Sequence, residues 1–271
     1  MIFPMKLEKR TILITGGTSG IGLELAKQLQ QRGNTIIVTG REQKKLDTTR
    51  QELPGVHTFK SDVSDPTAIA ALHDSVLAQF PQLDTLINNA GIMRNLDLNQ
   101  DRDLTDVTRE IEINLTGPVR MIQQFLPHLK TRREALIVNV SSGLAFVPFP
   151  TSPVYCATKA AMHSFTQSLR VQLDGTSVTA IELAPPGVET PLFRGEFAQE
   201  MKGQKGMDVT VLARRAIAGI EQGKLEIRPG LSNVLKAMSR IAPQFMLRQM
   251  VKMGKPKQVS QPLTKRTSTS S

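Results

Sequence analysis

A short apolar run, a glycine-rich turn and a helical pattern follow one another near the start of the chain. Residues 11–15, Thr-Ile-Leu-Ile-Thr, are β-branched and apolar, which is typical of a buried parallel strand. Leu25, Ala26 and Leu29 then recur at helical spacing, and Gly33 stands where such a helix would end. Strand, turn and helix in this order form the first half of a βαβ unit, so the segment predicts an α/β fold.

Similar apolar runs recur along the chain, with helix-length patterns between them. The strand candidates are residues 11–15, 35–39, 58–60, 85–88, 136–140 and 178–183. The helical patterns are residues 66–79, 102–130 and 155–173. Because strands that alternate with helices form parallel sheets covered on both faces, we predict a single-domain Rossmann fold with a doubly wound sheet. Its ligand crevice would open at the carboxyl ends of the strands.

The turn after the first strand holds Gly16, Gly20 and Gly22. At a turn from strand to helix, the free N–H groups and the dipole of the helix favour an anion such as a pyrophosphate. The first gap is wider than in the usual G-x-G-x-x-G motif, so this signal is weak by itself.

Tyr155 and Lys159 stand four residues apart in a helical pattern and therefore on one face of the helix. An ammonium beside a phenol favours the ionised form, so we expect Lys159 to lower the pKa of Tyr155 below its ordinary value of about 10. Such a phenol can act as an acid or a base. Ser142 follows the strand candidate at 136–140, where a hydroxyl can polarise a carbonyl. The alternatives are that Tyr155 is an ordinary helix aromatic, Lys159 a surface charge and Ser142 a loop capping residue.

Taken together, these segments resemble the classical short-chain dehydrogenase/reductase family in order and spacing. The resemblance runs from about residue 8 to about residue 230. The Glu-Ile-Arg-Pro-Gly stretch at 226–230 is most similar to the DltE-like branch of the family. The segments that carry the resemblance are residues 15–22, 88–91, Asn114, Ser141 and Ser142, Tyr155 with Lys159, and Pro186 with Gly187.

The resemblance implies an oxidoreductase that transfers a hydride between a nicotinamide dinucleotide and a carbonyl or secondary alcohol. Tyr155 would exchange the alcohol proton, and Lys159 would lower the pKa of the phenol and reach the nicotinamide ribose. Ser142 would orient the carbonyl, and Asn114 would hold a water that links Lys159 to solvent. The expected cofactor contacts are Gly16, Thr18, Ser19, Gly20, Ile21, Gly22, Arg41, Asp62, Val63, Asn89, Ala90, Gly91, Tyr155, Lys159, Pro186, Gly187, Val188 and Thr190.

The end of the second strand candidate distinguishes the two nicotinamide cofactors. A carboxylate there accepts from a ribose 2′-hydroxyl, whereas an arginine accommodates a 2′-phosphate. The chain has Ile-Ile-Val-Thr-Gly-Arg at 36–41, with no acid before Arg41. We predict that NADP(H) is preferred and that NAD(H) is a second cofactor, since Glu42 follows directly. The alternative is a solvated surface arginine.

Positive charge is concentrated at the C-terminal end of the chain. The net charge is +10, but residues 228–271 hold nine Lys and Arg and no acid, so the rest has 25 basic and 24 acidic residues. The nearly neutral body argues against nucleic-acid binding. We predict a dehydrogenase domain over 1–230, a basic amphipathic extension over 231–254 and a polar, disordered tail over 255–271. The extension could cover the substrate cleft, a subunit contact or an anionic membrane surface; we favour packing on the body.

The remaining features bear on partners and location. With one cysteine, no apolar stretch of 18 residues and no signal-type segment, the chain is predicted to be cytoplasmic and without membrane insertion. The four histidines have no metal spacing, so no metal is expected. The resemblance implies a small-molecule carbonyl or alcohol substrate, a homodimer or homotetramer, and a mobile flap over 191–208, for which a surface helix is the alternative. A non-catalytic NADP(H)-sensing regulatory or scaffold protein is the alternative function.

Overall fold

The structure is a computed structural model that describes residues 5–197 and 203–253. Its strands form one parallel sheet. They are β1 (Thr11–Thr15), β2 (Thr35–Gly40), β3 (His57–Lys60), β4 (Thr85–Asn88), β5 (Ala135–Val140), β6 (Val178–Leu183) and β7 (Glu226–Ile227). Their order across the sheet is β3-β2-β1-β4-β5-β6-β7, so the direction of winding reverses between β1 and β4. This confirms the predicted single-domain Rossmann fold.

Helices make the crossovers between the strands and continue after β7. They are α1 (Gly20–Gln30), α2 (Gln43–Glu52), α3 (Pro66–Gln79), α4 (Leu104–Ile111), α5 (Gly117–Lys130), α6 (Pro153–Gln172), α7 (Pro191–Arg194), α8 (Val209–Glu221), α9 (Leu231–Ile241) and α10 (Pro243–Met253).

Both faces of the sheet are buried, because successive side chains of a strand point to opposite sides. On β1, Ile12 and Ile14 pack into a cluster with residues of α1 and α8. Leu13 packs into a second cluster with residues of α3, α5 and α6. Burying a side chain of this size contributes about 1.5–3 kcal/mol. The continuous apolar character of β1 therefore stabilises two helical layers at once.

The helical pattern at 102–130 corresponds to α4, a π-helical turn and α5, which follow one another without a gap. A single π-helical turn at Glu112–Thr116 separates α4 from α5 and contains Asn114. Gly117 begins α5 where an added Cβ would be 2.7 Å from the carbonyl oxygen of Val63, so the helix closely approaches the segment that follows β3. Single π-helical turns such as Glu112–Thr116 are frequent at functional sites.

The C-terminal part of the described chain packs on the body. Leu235 of α9 and Met246 and Met250 of α10 are buried in a cluster with Phe149 and Phe197. The domain boundary at residue 230 stays a prediction, and the predicted tail at 255–271 lies outside the described residues. In the described part of the chain, no helix has the length and apolarity to cross a bilayer.

The predicted flap at 191–208 is described only in part. It begins with the short helix α7, and after residues 198–202, which are not described, it rejoins the body at a bridge between Val188 and Met207. The mobility of this flap stays a prediction.

Candidate active site

A cavity of about 900 Å³ lies along the carboxyl ends of the strands. Gly16, Arg41, Asn89, Ser141 and Pro185, which follow β1, β2, β4, β5 and β6 in the sequence, all line it. The cavity therefore occupies the crevice that the winding of the sheet predicts.

Nearly all the predicted cofactor contacts line this cavity; the exception is Gly22. Gly22 lies beneath the turn, where an added Cβ would be 2.4 Å from Nδ2 of Asn89. Because Gly22 has no side chain, Nδ2 of Asn89 can donate to the carbonyl oxygens of Thr15 and Gly16 at 3.0 and 3.1 Å. The position of Gly22 is explained by packing that holds the turn.

The glycine turn leaves room for an anion at the start of α1. Gly16 and Gly20 have φ of +64° and +53°, which L side chains rarely adopt. An added Cβ at Gly16 would be 2.9 Å from Cα of Ala90. The side chain of Ser19, at the helix N-cap, makes no capping hydrogen bond. These residues therefore fit the pyrophosphate of a dinucleotide.

Arg41 follows β2 at one end of the cavity. Its Nη1 is 3.9 Å from Oδ2 of Asp62, and the two side chains are 44% and 35% exposed. An exposed pair of this kind contributes about 0–1 kcal/mol, so it competes little with a stronger anion.

Tyr155 is buried on α6, and the Ser142 hydroxyl is hydrogen-bonded to its phenol. Oγ of Ser142 also accepts from the backbone N–H of Leu144 at 3.1 Å, so this serine caps its own turn. Burial raises the pKa of Tyr155 above its ordinary value, and the bond to Ser142 acts in the other direction. The predicted lowering is therefore wrong for this structure, because desolvation outweighs the stabilisation of the phenolate.

Lys159 lies one helical turn after Tyr155, with Nζ 5.6 Å from the centre of the phenol ring. Nζ donates to the carbonyl oxygen of Val140 at 2.8 Å. Burial lowers the pKa of Lys159 to about 8, while the Glu182 carboxylate acts against that shift. The same burial therefore favours the neutral form of both groups.

Asn114 does not line the cavity. Its Oδ1 accepts from the backbone N–H of Ile92 at 2.9 Å, and its Nδ2 donates to the carbonyl oxygen of Ile92 at 2.8 Å. A Cβ on Gly91 would be 3.1 Å from Oδ1 of Asn114 and 3.7 Å from Nζ of Lys159, so both groups lie close to Gly91. The water expected between Asn114 and Lys159 stays a prediction.

A buried carboxylate beneath these residues was not predicted. Glu182 on β6 is fully buried, accepts a hydrogen bond from the Ser141 hydroxyl and lies 2.6 Å from Nδ1 of His163. His163 follows Lys159 by one helical turn on α6. In the sequence, Glu182 could have been recognised as an acidic residue inside the apolar run at 178–183.

The side chains of His163, Glu182 and Glu226 bring three candidate metal-ligand atoms within 4.8 Å of one another. Glu226 is already paired with Lys236 at 2.5 Å and with Arg228 at 2.9 Å. A metal ion would have to displace these cations, so we regard the group as an ion-pair cluster.

Glu110 on α4 is a second carboxylate that sequence reasoning missed. It is fully buried and accepts from the backbone N–H of Arg94 at 3.0 Å. Burial raises the pKa of Glu110 to about 7. Its negative charge would raise the pKa of Tyr155 further. An acid on an amphipathic helix gives no distinct signal in the sequence.

The C-terminal helices close the cavity next to Ser142. A Cβ on Gly143 would be 3.0 Å from Cδ1 of Leu235, so α9 lies directly on this turn. Met246 and Met250 of α10 line the same end of the cavity. Of the three positions considered for this extension, the structure has the one over the cleft. On the outer face of the C-terminal helices, Ile241 and Phe245 are exposed to solvent.

Comparison with known proteins gives a consistent result. The sequence model of the short chain dehydrogenase family matches residues 10–201. The chain is 44% identical over 224 residues to DltE, an uncharacterised oxidoreductase of Bacillus subtilis strain 168, covering 82% of this chain and 89% of DltE. It is 38% identical over 183 residues to sulfoacetaldehyde reductase 2 of Chromohalobacter salexigens, covering 66% of this chain and 73% of that protein.

Solved structures share the fold. A short chain dehydrogenase from Burkholderia cenocepacia J2315 in complex with NADP superposes with a TM-score of 0.79 at 23% identity, covering 91% of this chain and 99% of that one. A short chain dehydrogenase/reductase from Burkholderia phymatum in complex with NAD gives 0.78 at 22% identity, covering 90% and 96%. The chain therefore belongs to the short-chain dehydrogenase/reductase family, in its DltE-like branch.

Proposed function

We propose that this oxidoreductase transfers a hydride between NADP(H) and a carbonyl or secondary alcohol, with Tyr155 as the acid or base and NAD(H) as a second cofactor. One observation carries the proposal. The buried Tyr155 phenol is hydrogen-bonded to the Ser142 hydroxyl and lies one helical turn from Lys159, in a cavity that also contains the glycine turn.

The cofactor would be held along the carboxyl edge of the sheet. It supplies the hydride when bound. Gly16, Ser19 and Gly20 would cradle the pyrophosphate, and Arg41 would bind the 2′-phosphate. The other predicted contacts lie along the same cavity: Asp62 and Val63 for the adenine, Asn89, Ala90 and Gly91 for the ribose side, and Val188 and Thr190 for the carboxamide.

Tyr155 would transfer the proton in either direction. In reduction, its Oη protonates the carbonyl oxygen while the Ser142 hydroxyl orients that oxygen. The raised pKa of Tyr155 keeps the phenol protonated, which is the form that reduction requires. The Lys159 ammonium would stabilise the phenolate that remains, and Asn114 would hold the water through which the proton is replaced.

The relatives support this function over the alternative. One is named a reductase of an aldehyde and another an oxidoreductase, and solved neighbours bind NADP or NAD. They do not favour a non-catalytic NADP(H)-sensing or scaffold protein. Cytoplasmic location and assembly as a homodimer or homotetramer stay predictions.

The test is NADPH oxidation with a panel of carbonyl compounds, by wild type, Tyr155→Phe and Ser164→Ala. Loss of the phenolic proton is expected to lower kcat about 10²–10⁴-fold, while the glycine turn still binds NADPH. Ser164→Ala removes a hydroxyl from the exposed side of the same helix and should keep wild-type turnover. Wild-type turnover in Tyr155→Phe would contradict the assignment. NADPH binding by the wild-type protein without turnover of any compound in the panel would favour a sensor.

A further inference from the structure

The end of the cavity beside Ser142 is apolar. Several of its lining side chains belong to one apolar cluster, among them Met93, Phe149, Phe193, Leu235, Met246 and Met250. The cluster meets the turn after β5 through Leu235, whereas Arg41 follows β2. In the sheet order, β5 and β2 are three strand spacings apart, which is about 14 Å. The apolar end is therefore separate from the end that would hold the adenosine.

The charges that line the cavity lie outside this cluster. Arg41 and Lys45 lie at the β2 end, and Lys159 donates to the Val140 carbonyl oxygen. Lys205 and Arg215 also line the cavity, but both are exposed to solvent. The guanidinium of Arg194 lies 4.9 Å from the ring centre of Phe193, but its side chain is 41% exposed and is paired with the Glu189 carboxylate at 2.6 Å. Among the described residues, no cation is therefore buried in the apolar cluster, and burying an anionic substrate group there unpaired is costly.

Of the two helices that cover this end, α9 is paired with the sheet and α10 presents flexible side chains to the cavity. Lys236 of α9 donates to both carboxylate oxygens of Glu226 on β7, at 2.5 and 2.6 Å. On α10, Met246 and Met250 face the cavity. Methionine is unbranched and adapts to different apolar shapes. A fixed cover with an adaptable lining suits alkyl chains of several lengths.

We propose that the substrate is an uncharged carbonyl compound whose alkyl chain occupies this apolar cluster. The inference rests on the proposed function and specifies its substrate class. The ketone accepts a hydride from NADPH at its carbonyl carbon and a proton from Tyr155 at its oxygen, which gives the secondary alcohol and NADP⁺. The alkyl chain extends from Ser142 toward Met250 beneath α9 and α10.

The first test is a series of straight-chain methyl ketones from 2-butanone to 2-decanone. The value of kcat/KM should rise about fourfold per added methylene, the fold-change that corresponds to about 0.8 kcal/mol, until the chain fills the cluster. Levulinate, which has a carboxylate at the end of a chain close in length to 2-hexanone, should be reduced at least about tenfold less efficiently than 2-hexanone. Equal or better reduction of levulinate, or of sulfoacetaldehyde, overturns the inference.

The second test compares two adjacent positions on α10. Met250 is 6% exposed, whereas Val251 is 42% exposed. Met250→Lys should lower kcat/KM for 2-nonanone at least about tenfold, because it places an ammonium group in the apolar cluster. The value of kcat/KM for 2-butanone should change much less, and the Kd of NADPH should stay unchanged. Val251→Lys should match wild type. If Met250→Lys does not fold, Met250→Ala serves instead and should shift the best substrate to a longer chain.

A binding measurement separates this inference from the proposed function. Wild-type protein should bind nonanamide in isothermal titration, and Met250→Lys should bind it at least about tenfold more weakly. Binding without ketone turnover contradicts the hydride-transfer function while the alkyl site stands. Ketone turnover that does not depend on chain length leaves the hydride-transfer function standing and overturns the alkyl site. Nonanamide binding that Met250→Lys does not weaken also overturns the alkyl site.

Discussion

Burial shifts the pKa values of Tyr155 and Lys159 in opposite directions. It raises the pKa of Tyr155 and lowers that of Lys159 to about 8, so each group is pushed toward its neutral form. A protonated phenol can give a proton but cannot accept one. If Tyr155 exchanges the proton as proposed, its protonated form serves reduction, and the oxidation direction requires the phenol to ionise against its desolvation.

Arg41 should decide the choice of cofactor. Arg41→Ala removes the charge expected at the 2′-phosphate, and hydrogen bonds to charged groups contribute about 1.5–3 kcal/mol. The Kd of NADPH is therefore expected to rise about tenfold to a hundredfold, while that of NADH changes little. Fluorescence titration with both cofactors measures this.

The matched control for Arg41 is Arg50→Ala on α2, an exposed arginine that pairs with Asp47 and does not line the cavity. It should bind both cofactors as wild type does. An equal loss of NADPH and NADH affinity in Arg41→Ala would contradict the assignment.

At the scale of elements, α6 and β6 work together. Tyr155, Lys159 and His163 recur every four residues along α6, and Glu182 of β6 lies against His163 and Ser141. The carboxylate thus supports the helix face and the serine turn together. It also favours the ammonium form of Lys159 against burial.

Glu182→Gln tests this support. The pKa of Lys159 is about 8, so its ammonium is present below that pH and is lost above it. Removing the carboxylate should lower that pKa further, which moves the alkaline limb of the pH profile of kcat/KM for NADPH to lower pH.

Glu221→Gln is the control for Glu182→Gln, because it removes a carboxylate that pairs with Arg32 away from the cavity. Its pH profile should match that of wild type. If the alkaline limb of the pH profile of Glu182→Gln stays where it is in wild type, then Glu182 acts only in packing.

The elements were largely predictable because both sheet faces are buried. Continuous apolar runs such as residues 11–15 and 178–183 coincide with β1 and β6. β7 was missed, since two residues carry no periodic signal. The π turn within the pattern at 102–130 was not predicted, because its residue Asn114 exchanges two hydrogen bonds with the backbone of Ile92, which is remote in sequence.

For the whole molecule, motif order predicted where the site lies but not how it is supported. The glycine turn, Ser142, Tyr155 and Lys159 carry local signals, and the fold brings them to one cavity. Glu182, Glu110 and the apolar cluster depend on contacts between distant segments, so spacing could not reveal them. Burial of Tyr155 is likewise a property of the folded molecule, which explains why the predicted direction of its pKa was wrong.

The fold of the whole molecule brings the C-terminal extension into contact with the middle of the chain. The pair of Lys236 with Glu226 fastens α9 to the edge of the sheet, and Leu235 then lies over the turn that follows Ser142. The cover over this turn thus comes from a segment that lies beyond the residues matched by the family model. Substrate choice is expected to depend on this segment.

Isotope transfer measures hydride transfer by this protein directly. Purified protein is incubated with a methyl ketone and NADPH deuterated at C4, with each C4 stereoisomer used in turn, and the alcohol is analysed by mass spectrometry. We predict one deuterium at the carbinol carbon from one stereoisomer only, and its loss in Tyr155→Phe. Binding of NADPH without transfer of deuterium to any carbonyl compound in the panel would contradict the claim that this protein is a hydride-transfer enzyme.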